Sequence, residues 1–180
     1  MQQADEKQLI ARILDGHAGD FGYFLEQYGP EVFAIVSRLV PRQEDAEELT
    51  QDAFVRAFNR LETFVGHSSF STWICRIAYN TAVSWLRKKR IEYINIEDRP
   101  YLTNTEVDET LDDESRIDDL RHAIDQLKPE EQTLLQLYYY ENRPLADIAY
   151  ILDVEAGTIA TRLHRIRRKL YLMMKHEHNR

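Results

Sequence analysis

Apolar positions recur along this chain at three- and four-residue intervals, and no alternating run would build a strand, so the pattern predicts an all-α fold. Leu9, Ile10, Ile13 and Leu14 mark one side of a short helix over Asp5 to Leu14, interrupted by Gly16 and Gly19. Phe21, Phe24, Leu25 and Tyr28 supply a second helix. Beyond a Gly29-Pro30 turn, Val32, Phe33, Ile35, Val36, Leu39 and Val40 supply a third. Pro41 ends it, because proline lacks an amide hydrogen and its ring clashes with the preceding turn. The next helix opens with Glu44, Asp45, Glu47 and Glu48, acids suited to the positive end of its dipole, and is expected to bury Leu49, Ala53, Phe54, Ala57, Phe58 and Leu61. Phe64 to Thr72 reads as a loop: Gly66 and the nearby serines favour turns, and Ser71 or Thr72 is placed to cap a helix running to about Arg90.

From Ile91 to about Asp112 the periodicity fails. The stretch is polar, densely acidic and carries Pro100, which predicts a linker and hence two small helical domains, 1–90 and 113–180, joined by 91–112. In the second domain Ile117, Leu120, Ile124 and Leu127 repeat at helical spacing, Pro129 sits where a first turn tolerates it, and Leu134, Leu135, Leu137 and Tyr138 face inward. Glu141-Asn142-Arg143 is a turn. A short helix over Leu145 to Leu152, a tight turn at Asp153-Val154 and a longer basic helix from about Glu155 to Met174 form a helix-turn-helix, winged-helix-like in class. Ala149 lets the two helices approach closely, and Ile159, Leu163, Ile166 and Leu170 lock the last one down.

The faces left over carry the chemistry. On the acidic helix, Asp45, Glu48, Gln51, Asp52, Val55 and Arg56 are expected to face outward, as a solvated surface or a protein-docking one. On the helix after the loop, a step of about 100° per residue puts Ile74, Ile77, Ala78, Thr81 and Trp85 on one side and Arg76, Tyr79, Asn80, Val83 and Arg87 on the other. Cations, an amide and an aromatic on one stripe suit phosphates, a base edge and a stacked base, with Phe70 and Trp73 at the junction able to pack on unstacked bases. On the last helix, Thr158, Thr161, Arg162 and Arg165 are candidate base readers, and Arg167, Arg168 and Lys169 phosphate contacts.

A net charge of −8 argues against nucleic acid until its distribution is considered. Arg87 to Arg90 form one basic cluster and Arg162 to Lys169 another, while the acids gather between Glu92 and Asp119. Cys75 is the only cysteine, so an intramolecular disulfide and a repeated Cys-x-x-Cys metal site are excluded. No run approaches a membrane span, and the acidic N-terminus is unlike a secretory signal, which together predict a soluble protein of the cytoplasm. Paired acids such as Asp112-Asp113 and Asp118-Asp119 lack a nucleophile or convergent histidine, so neither an enzyme nor a cofactor or metal site is expected.

With these residues in view, the chain resembles a bacterial RNA polymerase sigma factor of the extracytoplasmic function (ECF) group, within the sigma-70 family. EDAEELTQDAFVRAF is similar to the family's clamp-binding helix, SSFSTWICRIAYNTAVSWLRKKR to its promoter-melting helix, and LKPEEQTLLQLYYYENRPLADIAYILDVEAGTIATRLHRIRRKL to its C-terminal helix-turn-helix. The resemblance implies that Asp45, Glu48, Gln51, Asp52 and Val55 dock on the clamp helices of the polymerase beta-prime subunit. It implies that Gly66, His67, Ser68, Ser69 and Phe70 hold a flipped base of the minus-ten element, with Trp73, Arg76, Tyr79, Asn80 and Arg87 gripping the opened strand. Thr158, Thr161, Arg162, Arg165 and Arg168 would then read the minus-35 element in the major groove. The implied partners are core polymerase (with the second domain on the beta flap), promoter DNA and an anti-sigma factor. Where the family often has a glycine, this chain has Asp153, which must then tolerate an unusual turn. A stand-alone helix-turn-helix regulator is the alternative; it would bind duplex operator DNA without polymerase.

Overall fold

A computed structural model describes residues 3–94 and 112–177, and its side chains over 5–89 and 117–175. Every regular element among them is helical, so the helix-turn-helix carries no strand-built wing there. The α-helices are α1 (Gln3–Leu14), α2 (Gly22–Leu39), α3 (Gln43–Asn59), α4 (Phe70–Ile94), α5 (Asp112–Asp125), α6 (Pro129–Leu135), α7 (Leu145–Leu152) and α8 (Ala156–Glu177). Single 3₁₀ turns precede α2 and follow α3.

The sequence predicts two helices where α2 is one. Pro30 lies inside it, at a cost of about 3 kcal/mol for the lost hydrogen bond and ring clash. The apolar stripe explains the continuity. Phe24 before the proline and Val32, Ile35, Val36 and Leu39 after it are all buried on one helical face, and each buried side chain of this kind stabilises by roughly 1.5–3 kcal/mol. A turn at Gly29 would pull the two halves of that face apart.

The helix α4 is central. It packs against α2 and α3 within the first domain and against α7 of the second. Phe70, Ile74, Cys75, Ala78 and Ala82 are buried along it, a wider band than one helical stripe, because helices cover it from more than one side. Its N-cap is Ser69, not Ser71 or Thr72: the Ser69 hydroxyl oxygen accepts the Thr72 amide at 3.1 Å. The linker expected over 91–112 lies outside the described residues apart from Ile91–Ile94, the end of α4, and Asp112, the start of α5.

In the second domain Leu127, Leu134, Leu137, Ile148, Ile151, Ile159, Leu163 and Ile166 close the core. Ile117 and Leu120 of the helical repeat are exposed, and Phe58 in the first domain, expected to be buried, is 39% exposed. Residues Gln136–Tyr140 follow α6 as a π-helical turn, whose Glu141 amide reaches back to the Gln136 carbonyl at 3.0 Å. Asp153 ends α7 in the left-handed conformation, φ 56° and ψ 48°, the kind of unusual turn that the family resemblance implied there. Short polar Asp accepts that region better than most residues.

Candidate nucleic-acid interface

The outer side of α3 is built by what its inner side buries. With Ala46, Leu49, Ala53, Phe54 and Ala57 packed inward, Glu48, Gln51, Asp52 and Val55 are left exposed, as expected. Asp45 differs. It is only half exposed and accepts a hydrogen bond from Lys89 Nζ of α4 at 3.2 Å, while that ammonium also lies 4.0 Å from the Trp85 ring centre. The carboxylate is thereby a brace between α3 and α4 rather than a free member of the outward stripe.

Gly66 and His67 are exposed at the tip of the loop, with Gly66 at φ +74°, and Ser68 and Ser69 are half-buried. Phe70 is not at the surface. It is 1% exposed, with its ring 3.9 Å from that of Phe24 in a stacked pair and 5.7 and 5.6 Å from those of Phe64 and Trp73. The aromatic residues read as a base platform are therefore split. Phe70 is a core residue and Trp73, half-buried on its edge, keeps part of its ring outside.

Beside the loop, Glu6 and Lys7 of α1 join Phe64, Gly66, Ser68 and Ser69 around a shallow recess of about 40 Å³. A space of that size admits water. Glu6 is buried and accepts the Tyr28 hydroxyl hydrogen, and burial together with this carboxylate pushes the Tyr28 phenol well up from its ordinary value. Sequence periodicity assigned α1 to packing alone, so its place against the loop was not foreseen.

The stripe on α4 expected to face DNA is divided too. Asn80 and Arg87 are exposed. Arg76 instead bonds Asp153 at 2.6 Å, with its guanidinium 4.3 Å from the Tyr150 ring centre, so two groups of the helix-turn-helix domain hold it. Tyr79 is half-buried, and burial, then the charge of Glu130, raises its phenol pKa while Arg162 opposes them. The second domain covers this side of α4.

Between the domains lies a buried polar cluster that no local pattern announces. Arg143 donates to Glu31 of α2 and to the Ser71 hydroxyl, and its other terminal nitrogen donates to Thr72 Oγ1 at 3.0 Å. Ser71 donates to the second Glu31 oxygen at 2.8 Å, and Thr72 donates to Asp147 at 3.2 Å. The Arg143 and Glu31 side chains are only 12% and 17% exposed. Burial alone would weaken the guanidinium's hold on its proton, but the bond to Glu31 outweighs it and raises the Arg143 pKa.

On α8, burial of Ile159, Leu163 and Ile166 leaves Thr161, Arg162, Arg165 and Arg168 exposed and Thr158 half-exposed, as the pattern predicts. Arg167 is less free, since its Nε donates to the Tyr139 hydroxyl at 2.8 Å. Lys169 pairs with Glu131 at 2.8 Å. Among the described residues, no group of three or more His, Cys, Asp or Glu side chains could hold a metal, and no helix is long and apolar enough to cross a membrane.

Comparison with known proteins matches Sigma-70 region 2 to residues 24–91 and Sigma-70, region 4 to residues 117–170. The RNA polymerase sigma factor YlaC of Bacillus subtilis is 34% identical over 148 residues, 80% of this chain and 86% of that one. The ECF RNA polymerase sigma-E factor of Haemophilus influenzae is 30% identical over 92% of this chain and 93% of its own. In three dimensions the chain is similar to the sigma factor RpoE, solved with the anti-sigma factor NepR from Bartonella quintana, with a TM-score of 0.66 and 24% identity over 87% of this chain and 97% of that one.

Proposed function

Because the chain belongs to the ECF group of RNA polymerase sigma factors, a promoter-specificity subunit and not an enzyme, we propose how its surfaces divide that work. The exposed Glu48, Gln51, Asp52 and Val55 of α3, with Asp45 at their edge, dock on the clamp helices of the beta-prime subunit. An acidic stripe with one exposed valine fits a basic partner helix with an apolar centre. The loop of Gly66 to Ser69, with Trp73, Arg76, Tyr79, Asn80 and Arg87 behind it, takes the opened minus-ten strand; Phe70 supports this surface from the core.

The observation that carries the reading is the one-sided α8. Ile159, Leu163 and Ile166 are buried while Thr161, Arg162, Arg165 and Arg168 are exposed, directly after the left-handed turn at Asp153. A recognition helix needs this division: the buried side fixes its angle and the free side meets base edges and phosphates. Its reading of a minus-35 duplex, with the second domain on the beta flap, gives the melting domain its address. The cytoplasm, where polymerase works, is the place of action. An anti-sigma factor is a further partner, by analogy with the relative solved with one.

The test is run-off transcription from a genomic fragment library with purified core polymerase. Start sites sharing two spaced elements are the expected result. Operator binding by the chain alone, with no transcripts, would instead favour the stand-alone regulator.

A further inference from the structure

Where a cation of this chain is held in place, its partner is usually an acid. Lys169 pairs with Glu131, Arg76 with Asp153 and Lys89 with Asp45, so one contact both orients and neutralises each of them. Arg167 is held differently. Its Nε donates to the Tyr139 hydroxyl at 2.8 Å, and its guanidinium carbon lies 5.8 Å from the ring centres of both Tyr138 and Tyr139. Among the described residues no carboxylate pairs with it. The two rings, set edge to face at 4.9 Å, come from the π-helical turn Gln136–Tyr140, and both Tyr139 and Arg167 are exposed.

A neutral partner fixes the direction of a cation and leaves its whole charge for an anion. The donor count agrees. The bond takes the Nε hydrogen and not the terminal nitrogens, whose fork matches two phosphate oxygens. Having accepted that hydrogen, the Tyr139 hydroxyl keeps its own to donate. Position on α8 supplies the anion. Arg167 stands about 100° round the helix from Arg168, at the edge of the exposed face. A helix roughly 10–12 Å across with its side chains fills a major groove about 12 Å wide, so the edges of a reading face meet the phosphates of the groove walls.

We propose that Tyr139 and Arg167 form a preset clamp for one DNA phosphate at a wall of the minus-35 groove, in which Tyr139 orients the guanidinium and gives its own hydroxyl hydrogen to the same phosphate. This makes Tyr139, outside the helix-turn-helix, a further DNA-binding and positioning residue. It rests on the reading of α8 as the recognition helix.

The experiment uses holoenzyme, reconstituted from core polymerase and the full chain, on a labelled promoter duplex recovered by the run-off screen. Fluorescence anisotropy over a salt series compares wild type with Tyr139→Phe, Arg167→Lys, Arg167→Ala and, as a control, Tyr140→Phe, which loses a hydroxyl from the neighbouring exposed ring. Tyr139→Phe should weaken binding about three- to fivefold, equally on every minus-35 variant, and leave the salt dependence as it is, since the hydroxyl carries no charge. Arg167→Ala should weaken it further and flatten the slope of log affinity against log salt by about 0.9, the share of one phosphate contact. Arg167→Lys should keep that slope yet bind about threefold more weakly, because an ammonium has no fork for Tyr139 to orient. A methylphosphonate scan of the duplex then locates the phosphate. At one position the neutral linkage should weaken wild type and abolish the further effect of Tyr139→Phe and Arg167→Ala, which a merely structural role would not produce.

Three results would overturn the clamp: Tyr139→Phe binding as tightly as the Tyr140→Phe control, losses confined to one base-pair substitution, or no linkage whose neutralisation absorbs both substitutions. Wild-type holoenzyme that fails to prefer the promoter duplex over a scrambled one would sink the promoter reading and the clamp with it, whereas variants that match wild type on a preferred duplex sink the clamp alone.

Discussion

Replacing Phe70 by Ala should strongly destabilise the first domain rather than remove a DNA contact. The ring is 1% exposed, stacks on Phe24 at 3.9 Å between centres, packs edge-on with Phe64 and lies against the tilted ring of Trp73. Truncating a buried phenylalanine costs about 3–5 kcal/mol from lost transfer energy and the cavity left behind. A domain of this size has a total stability of about 5–15 kcal/mol, so the loss is a large share of it. With a urea slope near 2 kcal/mol/M the midpoint should fall by roughly 2 M. Phe70→Leu keeps most of the volume and should cost only about 1–1.5 kcal/mol.

The chain itself provides the assay. Its only tryptophans, Trp73 and Trp85, both lie on α4, so fluorescence during a urea titration reports the first domain. Far-UV circular dichroism supplies a second probe, because Trp73 touches the mutated site and its intensity will shift on that account alone. Single-strand binding should survive in Phe70→Leu. The reasoning is refuted if Phe70→Ala keeps its midpoint within about 0.5 M and loses only strand binding, since the ring would then be a contact and not a support.

Gln51→Ala with Asp52→Ala should weaken core-polymerase binding about tenfold, or roughly 1.4 kcal/mol, while leaving the urea midpoint in place because both side chains are exposed; unchanged affinity in a polarisation titration would count against the clamp assignment. Arg162→Ala should lose about 1–3 kcal/mol of discrimination at one minus-35 position in competition binding if it pairs with guanine, whereas an equal loss on all sequences would make it a phosphate contact. The carboxyl of Glu131 is pushed up by burial, but hydrogen bonds from Lys169 and from the Lys128 amide outweigh this and hold its pKa below the ordinary value. A depressed carboxyl pKa contributes stability above the unfolded value of about 4.3 that is lost as pH falls through the folded one. Glu131→Gln should therefore lower the melting temperature at neutral pH, with a deficit that shrinks below about pH 4; a deficit constant with pH would mean that shape, not charge, matters there.

The sequence by itself determined the helical class, the two domains and the exposed faces of α3 and α8. These follow from spacing within one helix: burying Leu49, Ala53 and Ala57 leaves Gln51, Asp52 and Val55 outside, and burying Ile159, Leu163 and Ile166 does the same for Thr161 and Arg165. Even the unusual backbone at Asp153 was expected, through the family resemblance rather than through spacing. Only the tertiary structure decided what two-sided helices do. Helical spacing finds one buried face, and α4 has partners on several, so Phe70 went inward and Arg76 and Tyr79 went under the second domain. It likewise decided that α2 runs through Pro30, because continuous burial beyond the proline outweighs a local penalty. Arg143 and Glu31 lie 112 positions apart, and nothing within a few residues of either marks the other as its partner. A long-range ion pair is a property of how domains meet, and that meeting is set by three-dimensional packing rather than by local pattern.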